Sequence, residues 1–210
     1  MSSEQQQDFR HDTERSVGIL LNNLGTPDEP TTSALRRYLK EFLWDPRIVD
    51  MPRVLWWFIL QVILLIRPRL SAKSYRSVWT EQGSPLLSIS RQQTEALRAR
   101  LETTLKQPVH VALSMRYGNP SIGHALQELR QAKVDRVLVL PLYPQYSSCT
   151  TASTYDAIAS VVKKWRWIPE FRFINQYHDH ELYIQALTNS IQESWEKNGQ
   201  AAMLLFSFHG

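Results

Sequence analysis

The chain has 210 residues, 43% of them hydrophobic and 21% charged. That composition suits a globular protein large enough for one large or two small domains and excludes disordered and repeat classes. The 24 Lys and Arg against 20 Asp and Glu leave a net charge of +4, compatible with an anionic surface or a carboxylate-bearing ligand. There is no basic stripe interleaved with aromatics, so nucleic acid is not an expected partner.

Residues 1–16 are polar and lack the apolar core of a secretory signal, and they read as a mobile tail on a cytoplasmic protein. Residues 17–24 are an apolar run stopped by Gly25, Thr26 and Pro27. Residues 33–43 then have helical spacing, with Thr31 or Thr32 as the cap. Residues 48–51 read as a short strand. The most apolar segment, 54–66, holds Trp56 and Trp57 and is followed by Arg67, Pro68 and Arg69. It falls short of the roughly 20 residues needed to span a bilayer. Its composition fits either a core helix covered by protein or a helix lying in a membrane interface.

Residues 87–104 form a long amphipathic helix capped near Ser84 and Pro85. The strand, turn, helix unit then recurs: 109–115 leads into a helix over 121–131, and 136–140 leads through a loop into a helix over 151–165. A second series opens near 167–169, with a strand over 171–174, a helix over 179–197 and a strand over 202–208. Strands separated by helices pair in parallel through right-handed crossovers, which gives an α/β sheet covered on both faces. Two strands and one helix cannot close a domain, so the last series reads as the start of an incomplete one and the chain as truncated.

In open parallel sheets ligands gather at the C-terminal ends of the strands. The expected strands deliver Leu24, Gly25 and Thr26 there, then Arg116, Tyr117 and Gly118, then Tyr143, Tyr146 and Ser147, and finally His209. This rim has no Gly-x-Gly-x-x-Gly loop and no Gly-Lys-Ser/Thr phosphate loop. It suits a large, flat, mostly apolar ligand with carboxylates and nitrogen atoms: phenols pack on its faces, Arg116 pairs with a carboxylate, and His209 takes a proton or holds a metal. Each residue also has a plainer reading, as a capping or exposed arginine, packing tyrosines, or a structural histidine. His110, His124, His178 and His180 read as structural or exposed. The single cysteine, Cys149, excludes an intrachain disulfide, fits a reducing compartment and cannot hold a metal cluster alone.

At these loops the sequence resembles the ferrochelatases. The resemblance is carried by residues 18–27 (Gly-Ile-Leu-Leu-Asn-Asn-Leu-Gly-Thr-Pro), 38–43, 75–79 followed by 83–86, and 115–120 (Met-Arg-Tyr-Gly-Asn-Pro). The most specific string is 140–147 (Leu-Pro-Leu-Tyr-Pro-Gln-Tyr-Ser), and residues 205–210 (Leu-Phe-Ser-Phe-His-Gly) complete the set in the same order. The resemblance implies the class II chelatase fold, an α/β arrangement of two Rossmann-like lobes with parallel sheets flanked by helices. Residues 17–165 would form the first lobe with an apolar lip at 54–66, and 166–210 the start of the second, incomplete here.

It further implies insertion of ferrous iron into protoporphyrin IX. His209 would be the catalytic and metal-binding residue, and Leu24, Arg116, Tyr117, Tyr143, Tyr146 and Ser147 would line the porphyrin. Trp56 and Trp57 would form the lip that meets membrane or porphyrin. Leu24 stands where relatives that act on coproporphyrin carry tyrosine, and its aliphatic character favours protoporphyrin. No cofactor is implied beyond the substrate iron. Cys149 lies one position after the place of a cluster-ligating cysteine in some relatives, which leaves an iron–sulfur cluster open. The acidic partner of the histidine would lie beyond residue 210, so the chain is expected to be poorly stable and inactive alone. The competing readings are a cobalt or nickel chelatase, which tends to present paired histidines, a noncatalytic porphyrin carrier, and a membrane-surface scaffold.

Overall fold

Three runs rich in aliphatic residues and a fourth, Phe-containing strand become one parallel sheet in the computed structural model, which describes residues 16–105 and 107–207. The chain runs β1 (Val17–Thr26), α1 (Thr32–Leu43), α2 (Arg53–Val78), α3 (Pro85–Thr104), β2 (Val109–Gly118), α4 (Ile122–Gln131) and β3 (Arg136–Pro141). A π-helical turn (Ser148–Ala152), α5 (Ser153–Val162), β4 (Glu170–Phe173) and α6 (Glu181–Asn198) follow. The sheet order is β2-β1-β3-β4 with every pair parallel.

β1 is central, and its side chains are buried on both faces. Leu20 packs with Ala112, Val137 and Val139 under Leu126 and Leu129 of α4 and Ile158 of α5. Ile19, Leu21 and Val111 face the other way, against Leu97 and Leu101 of α3. Period-two alternation with apolar residues at both phases is what a parallel strand covered on each side requires. The caps follow the sequence: the Thr31 hydroxyl accepts from the Ala34 amide and Ser121 from His124, each satisfying a free N–H of the first turn.

α2 is longer than the apolar run inside it. Its 26 residues include an 18-residue window of mean hydropathy 1.5, enough by length and composition to cross a membrane. However, Trp56, Leu60 and Leu64 pack with Leu39 and Leu43 of α1 and with Val49 and Met51, and the buried stripe continues through Pro68 and Ala72. The spacing of four keeps these residues on one side, so the helix is held along the lobe while its other sides stay open. Pro68 removes one backbone donor and would leave the Leu64 carbonyl without its helical partner. Arg36 of α1 supplies the substitute, its Nε donating to Leu64 O at 3.0 Å.

Several expectations change. The strand over 171–174 does not open a second lobe: β4 pairs with β3 in register Val137↔Phe171 and Val139↔Phe173, so the first sheet extends past the boundary expected at 165. Residues 48–51 are not a strand, because the Ile48 and Val49 amides both bond to Asp45 O at 3.0 Å and coil the chain into a turn. Residues 202–207 form no strand either. Met203 and Leu205 are 82% and 85% exposed, and no strand among the described residues pairs with them. Of the expected tail, residues 1–15 lie outside the described residues, whereas Ser16 is buried and its hydroxyl donates to Lys133 O at 3.3 Å.

Arg36→Leu should lower the unfolding free energy of the chain by roughly 1.5–3 kcal/mol, because a buried carbonyl loses a charged donor. Urea unfolding followed by tryptophan fluorescence measures it. A change below about 0.5 kcal/mol would mean that water already serves Leu64.

Candidate functional site

The connections leaving β1 and β3 run to opposite sides of the sheet, β1 to β2 and β3 to β4. A crevice opens between neighbouring strands whose connections diverge in this way, outside their C-terminal ends. Leu24 and Tyr143 stand at those two exits, and the Leu142 amide donates to Asn22 O at 2.7 Å to hold the exits together. Leu24 is half-buried and its amide donates to Asn23 Oδ1 at 2.8 Å.

Tyr143 is half-buried, but its hydroxyl is enclosed and has no hydrogen-bond partner. Burial, then the neighbouring Tyr117 and Tyr38, push its ionisation well above the ordinary phenol range against the pull of Arg116. The group therefore keeps its proton and remains a donor. Tyr146 is half exposed on the loop beyond. Ser147 is occupied locally: its hydroxyl accepts from the Cys149 amide at 3.3 Å, and its carbonyl takes the amides of Thr150, Thr151 and Ala152. It shapes the π-helical turn that opens α5.

Beneath the crevice the backbone itself is crowded. Gly25 has φ +110, and a Cβ there would sit 1.8 Å from Tyr117 O. Gly118, paired with Thr26, has φ +81, and its Cβ would sit 2.6 Å from Thr26 O. Both positions need glycine, for the left-handed conformation and for the close approach of β1 and β2.

Two expected ligand contacts are instead parts of an internal network. Arg116 Nη2 donates to Asp45 Oδ2 at 2.5 Å, and its Nε donates to Ser153 Oγ at 2.6 Å and Ser153 O at 3.0 Å. Tyr117 is fully buried, and its hydroxyl donates to the same Asp45 oxygen at 2.8 Å, as Ser153 Oγ does at 2.6 Å. Arg116 also lies over the Tyr117 ring, 4.4 Å from its centre. With side chains only 15% and 3% exposed, Arg116 and Asp45 form a closed ion pair. A ligand carboxylate competing for Arg116 Nη2 would have to displace Asp45.

Burial alone would raise the Asp45 ionisation. Hydrogen bonds from Ser153, the Arg47 amide and Tyr117, together with the Arg116 charge, outweigh it and hold the carboxyl below the usual range. A second polar group lies deeper, where Thr154 Oγ1 donates to Asn22 Oδ1 at 2.7 Å and Asn22 Nδ2 donates to Ser114 Oγ at 3.0 Å.

The lip tryptophans divide. Trp56 is only 6% exposed, and its indole donates to Leu43 O at 2.8 Å, closing the end of α1. It is a packing residue, not a lip residue. Trp57 is 49% exposed and meets Phe58 edge to face. Beside them Trp44, Arg53, Val54, Trp57 and Phe58 line a shallow pocket of about 340 Å³.

His209 lies outside the described residues. Of the other histidines, His180 caps α6, its Nδ1 accepting from the Leu182 amide at 3.2 Å. The Cys149 thiol donates to Arg47 O at 3.0 Å. The described residues contain no group of three or more His, Cys, Asp or Glu fit to hold a metal.

The fold is a Rossmann-like α/β lobe, a parallel sheet flanked by helices. A family model for ferrochelatase matches residues 16–210. The chain is 54% identical over 204 residues to the ferrochelatase of Thioalkalivibrio sulfidiphilus, covering 97% of this chain and 55% of that protein. It is 52% identical to the ferrochelatase of Nitrosococcus oceani with the same coverage. The ferrochelatase of Alcanivorax borkumensis is 52% identical over 211 residues, 100% of this chain and 62% of that relative. The chain belongs to the ferrochelatase family, whose fold is a two-lobed chelatase, and it spans somewhat over half the length of these curated relatives.

Asp45 should give the chain an acid-sensitive component of stability. Its native ionisation lies below the unfolded value of 3.8, so the contribution is complete above that value and is lost as pH falls through the lowered one. Asp45→Asn should cost about 3–5 kcal/mol at pH 7, because Arg116 is left buried and unpaired, and should flatten the acid limb of a stability-against-pH curve. By contrast, Tyr143→Phe removes a buried hydroxyl that has no partner to lose. Urea unfolding should show it neutral or up to about 1 kcal/mol more stable; a loss above 1 kcal/mol would reveal a hidden partner.

Proposed function

We propose that this chain supplies the N-terminal lobe of a ferrochelatase that inserts ferrous iron into protoporphyrin IX to form protohaem. The observation that carries the reading is the ferrochelatase match over residues 16–210, and the strand order that sets Leu24 and Tyr143 at neighbouring exits supports it. Metal entry requires the flat macrocycle to bend so that its nitrogen lone pairs leave the ring plane, and two pyrrole N–H protons depart as the iron enters. A rigid crevice can draw that distortion from binding energy on the rest of the ring.

Leu24 offers an aliphatic surface to one face of the ring. Tyr143 adds a neutral phenol held in place by its burial, and Tyr146 closes over the edge. Arg116 and Tyr117 lie one layer down, where with Asp45 they keep the β2 exit stiff. His209 is assigned the metal-binding or proton-accepting role, for which a neutral imidazole is suited. Iron is substrate here.

The lip function falls to Trp57, Phe58, Leu55 and Val62, all exposed on α2. We place this face against a membrane surface, where an apolar porphyrin partitions, with the protein on the cytoplasmic side. Nucleic acid has no part in the reading.

The test is iron insertion into protoporphyrin, followed by absorbance, using this chain joined to the C-terminal half of a relative. The wild-type chimera should metallate the porphyrin, and His209→Ala should slow it by about 10²-fold or more. Tight porphyrin binding by a folded chimera that never inserts iron would favour a carrier instead.

A further inference from the structure

The carboxylate of Asp45 joins three parts of the lobe that are distant in sequence. Its Oδ2 takes Arg116 and Tyr117 from the end of β2 and Ser153 from the start of α5. Its Oδ1 accepts the Arg47 amide at 2.7 Å, and its own carbonyl accepts the amides of Ile48 and Val49. The side chain thus organises both the rim and the turn that connects α1 to α2. Val49 and Met51, which leave that turn, pack against the Trp56, Leu60 and Leu64 stripe of the lip helix. At the same junction Arg53 Nη1 donates to Trp44 O at 3.0 Å and Trp56 donates to Leu43 O, so the end of α1 and the start of α2 are tied together.

We propose that Asp45 is a positioning residue for the ligand crevice: it is the anion that Arg116 holds, and through the 45–51 turn it sets where the apolar lip stands relative to the strand-end rim. What the lip and rim bind rests on the function proposed above; the mechanical coupling between them does not. Two features of the geometry favour coupling over simple stabilisation. All three donors on Oδ2 come from rim elements, while the apolar residues of the turn, Val49 and Met51, pack on α2, and Arg47 reaches back to the π-helical turn and α5 through Cys149 and Asp156. The link is also direct, because the same residue that receives the rim donors carries the backbone carbonyl that coils the turn. A buried carboxylate with all its donors in place has one low-energy position, and a turn hung on it inherits that position.

Hydrogen–deuterium exchange on the folded chimera, without porphyrin, tests this. Asp45→Asn should speed exchange of the amides in 46–60 by roughly tenfold or more beyond the acceleration of α4 and β3, which report the global loss of stability. Ser153→Ala removes one donor without stranding a charge, and it should give a smaller rise in the same amides; it decides the matter if Asp45→Asn does not fold. In the chimera, Asp45→Asn should raise the KM for porphyrin more than it lowers kcat, since the reacting groups are untouched. Uniform acceleration across the lobe, or unchanged exchange at 46–60, would overturn the proposal. Because the exchange measurement contains no porphyrin, its result is independent of whether iron insertion is found.

Discussion

A buried carboxylate is costly in isolation, since removing an ion from water costs several kcal/mol even after the surroundings relax. Asp45 carries that cost because a guanidinium, a phenol, a hydroxyl and a backbone amide all converge on its two oxygens. Each donor comes with a piece of secondary structure attached. For all four to be in place, the α1 exit, the β2 exit and the α5 start must already be correctly spaced, so the network constrains geometry more than it adds net stability. The close passage of Gly25 and Gly118 serves the same end, since it lets β1 and β2 approach at the point where Arg116 and Tyr117 leave the sheet.

The lip helix obeys a different logic. α2 is apolar nearly all round, so its burial is set by what reaches it and not by its own pattern. α1 covers one stripe, and the sides bearing Leu55, Trp57, Phe58, Val62 and Leu65 are left open. A proline within such a helix would normally kink it or expose a carbonyl. Arg36 answers that defect from α1, and its long side chain also fixes the two helices side by side. The open sides are thus presented by a helix held at its base by Asp45, Arg53 and Trp56 and braced midway by Arg36.

Most of the sheet and its flanking helices were legible in the sequence because they obey local rules. Apolar runs ended by glycine and proline mark β1 and β3, and Thr31, Ser84 and Ser121 mark the helix starts. What could not be read is what depends on distance. Nothing near Asp45 distinguishes it from an ordinary turn aspartate before proline; its partners lie 71, 72 and 108 residues further on. Arg116 looked like a free cation for the same reason, and Trp56 looked like its neighbour Trp57 until α1 was seen to cover one and not the other. Sequence alone places β4 in a new lobe because the boundary of a parallel sheet is a matter of pairing, which periodicity does not encode. Residues 202–207 show the reverse case: a strand-like composition with no strand alongside stays unpaired and exposed.

Two arginines, one in the 45–51 turn and one at the end of β2, illustrate how burial decides availability. Arg116 and Arg47 each pair with an aspartate through a guanidinium, and on distance alone the pairs look alike. The first is enclosed with its partner, and opening it would strand two charges away from water. The second is open to solvent on both sides, where water and salt already compete for the charges and a pair contributes little. The enclosed pair therefore belongs to the framework of the lobe, whereas the exposed pair at Arg47 can open at small cost.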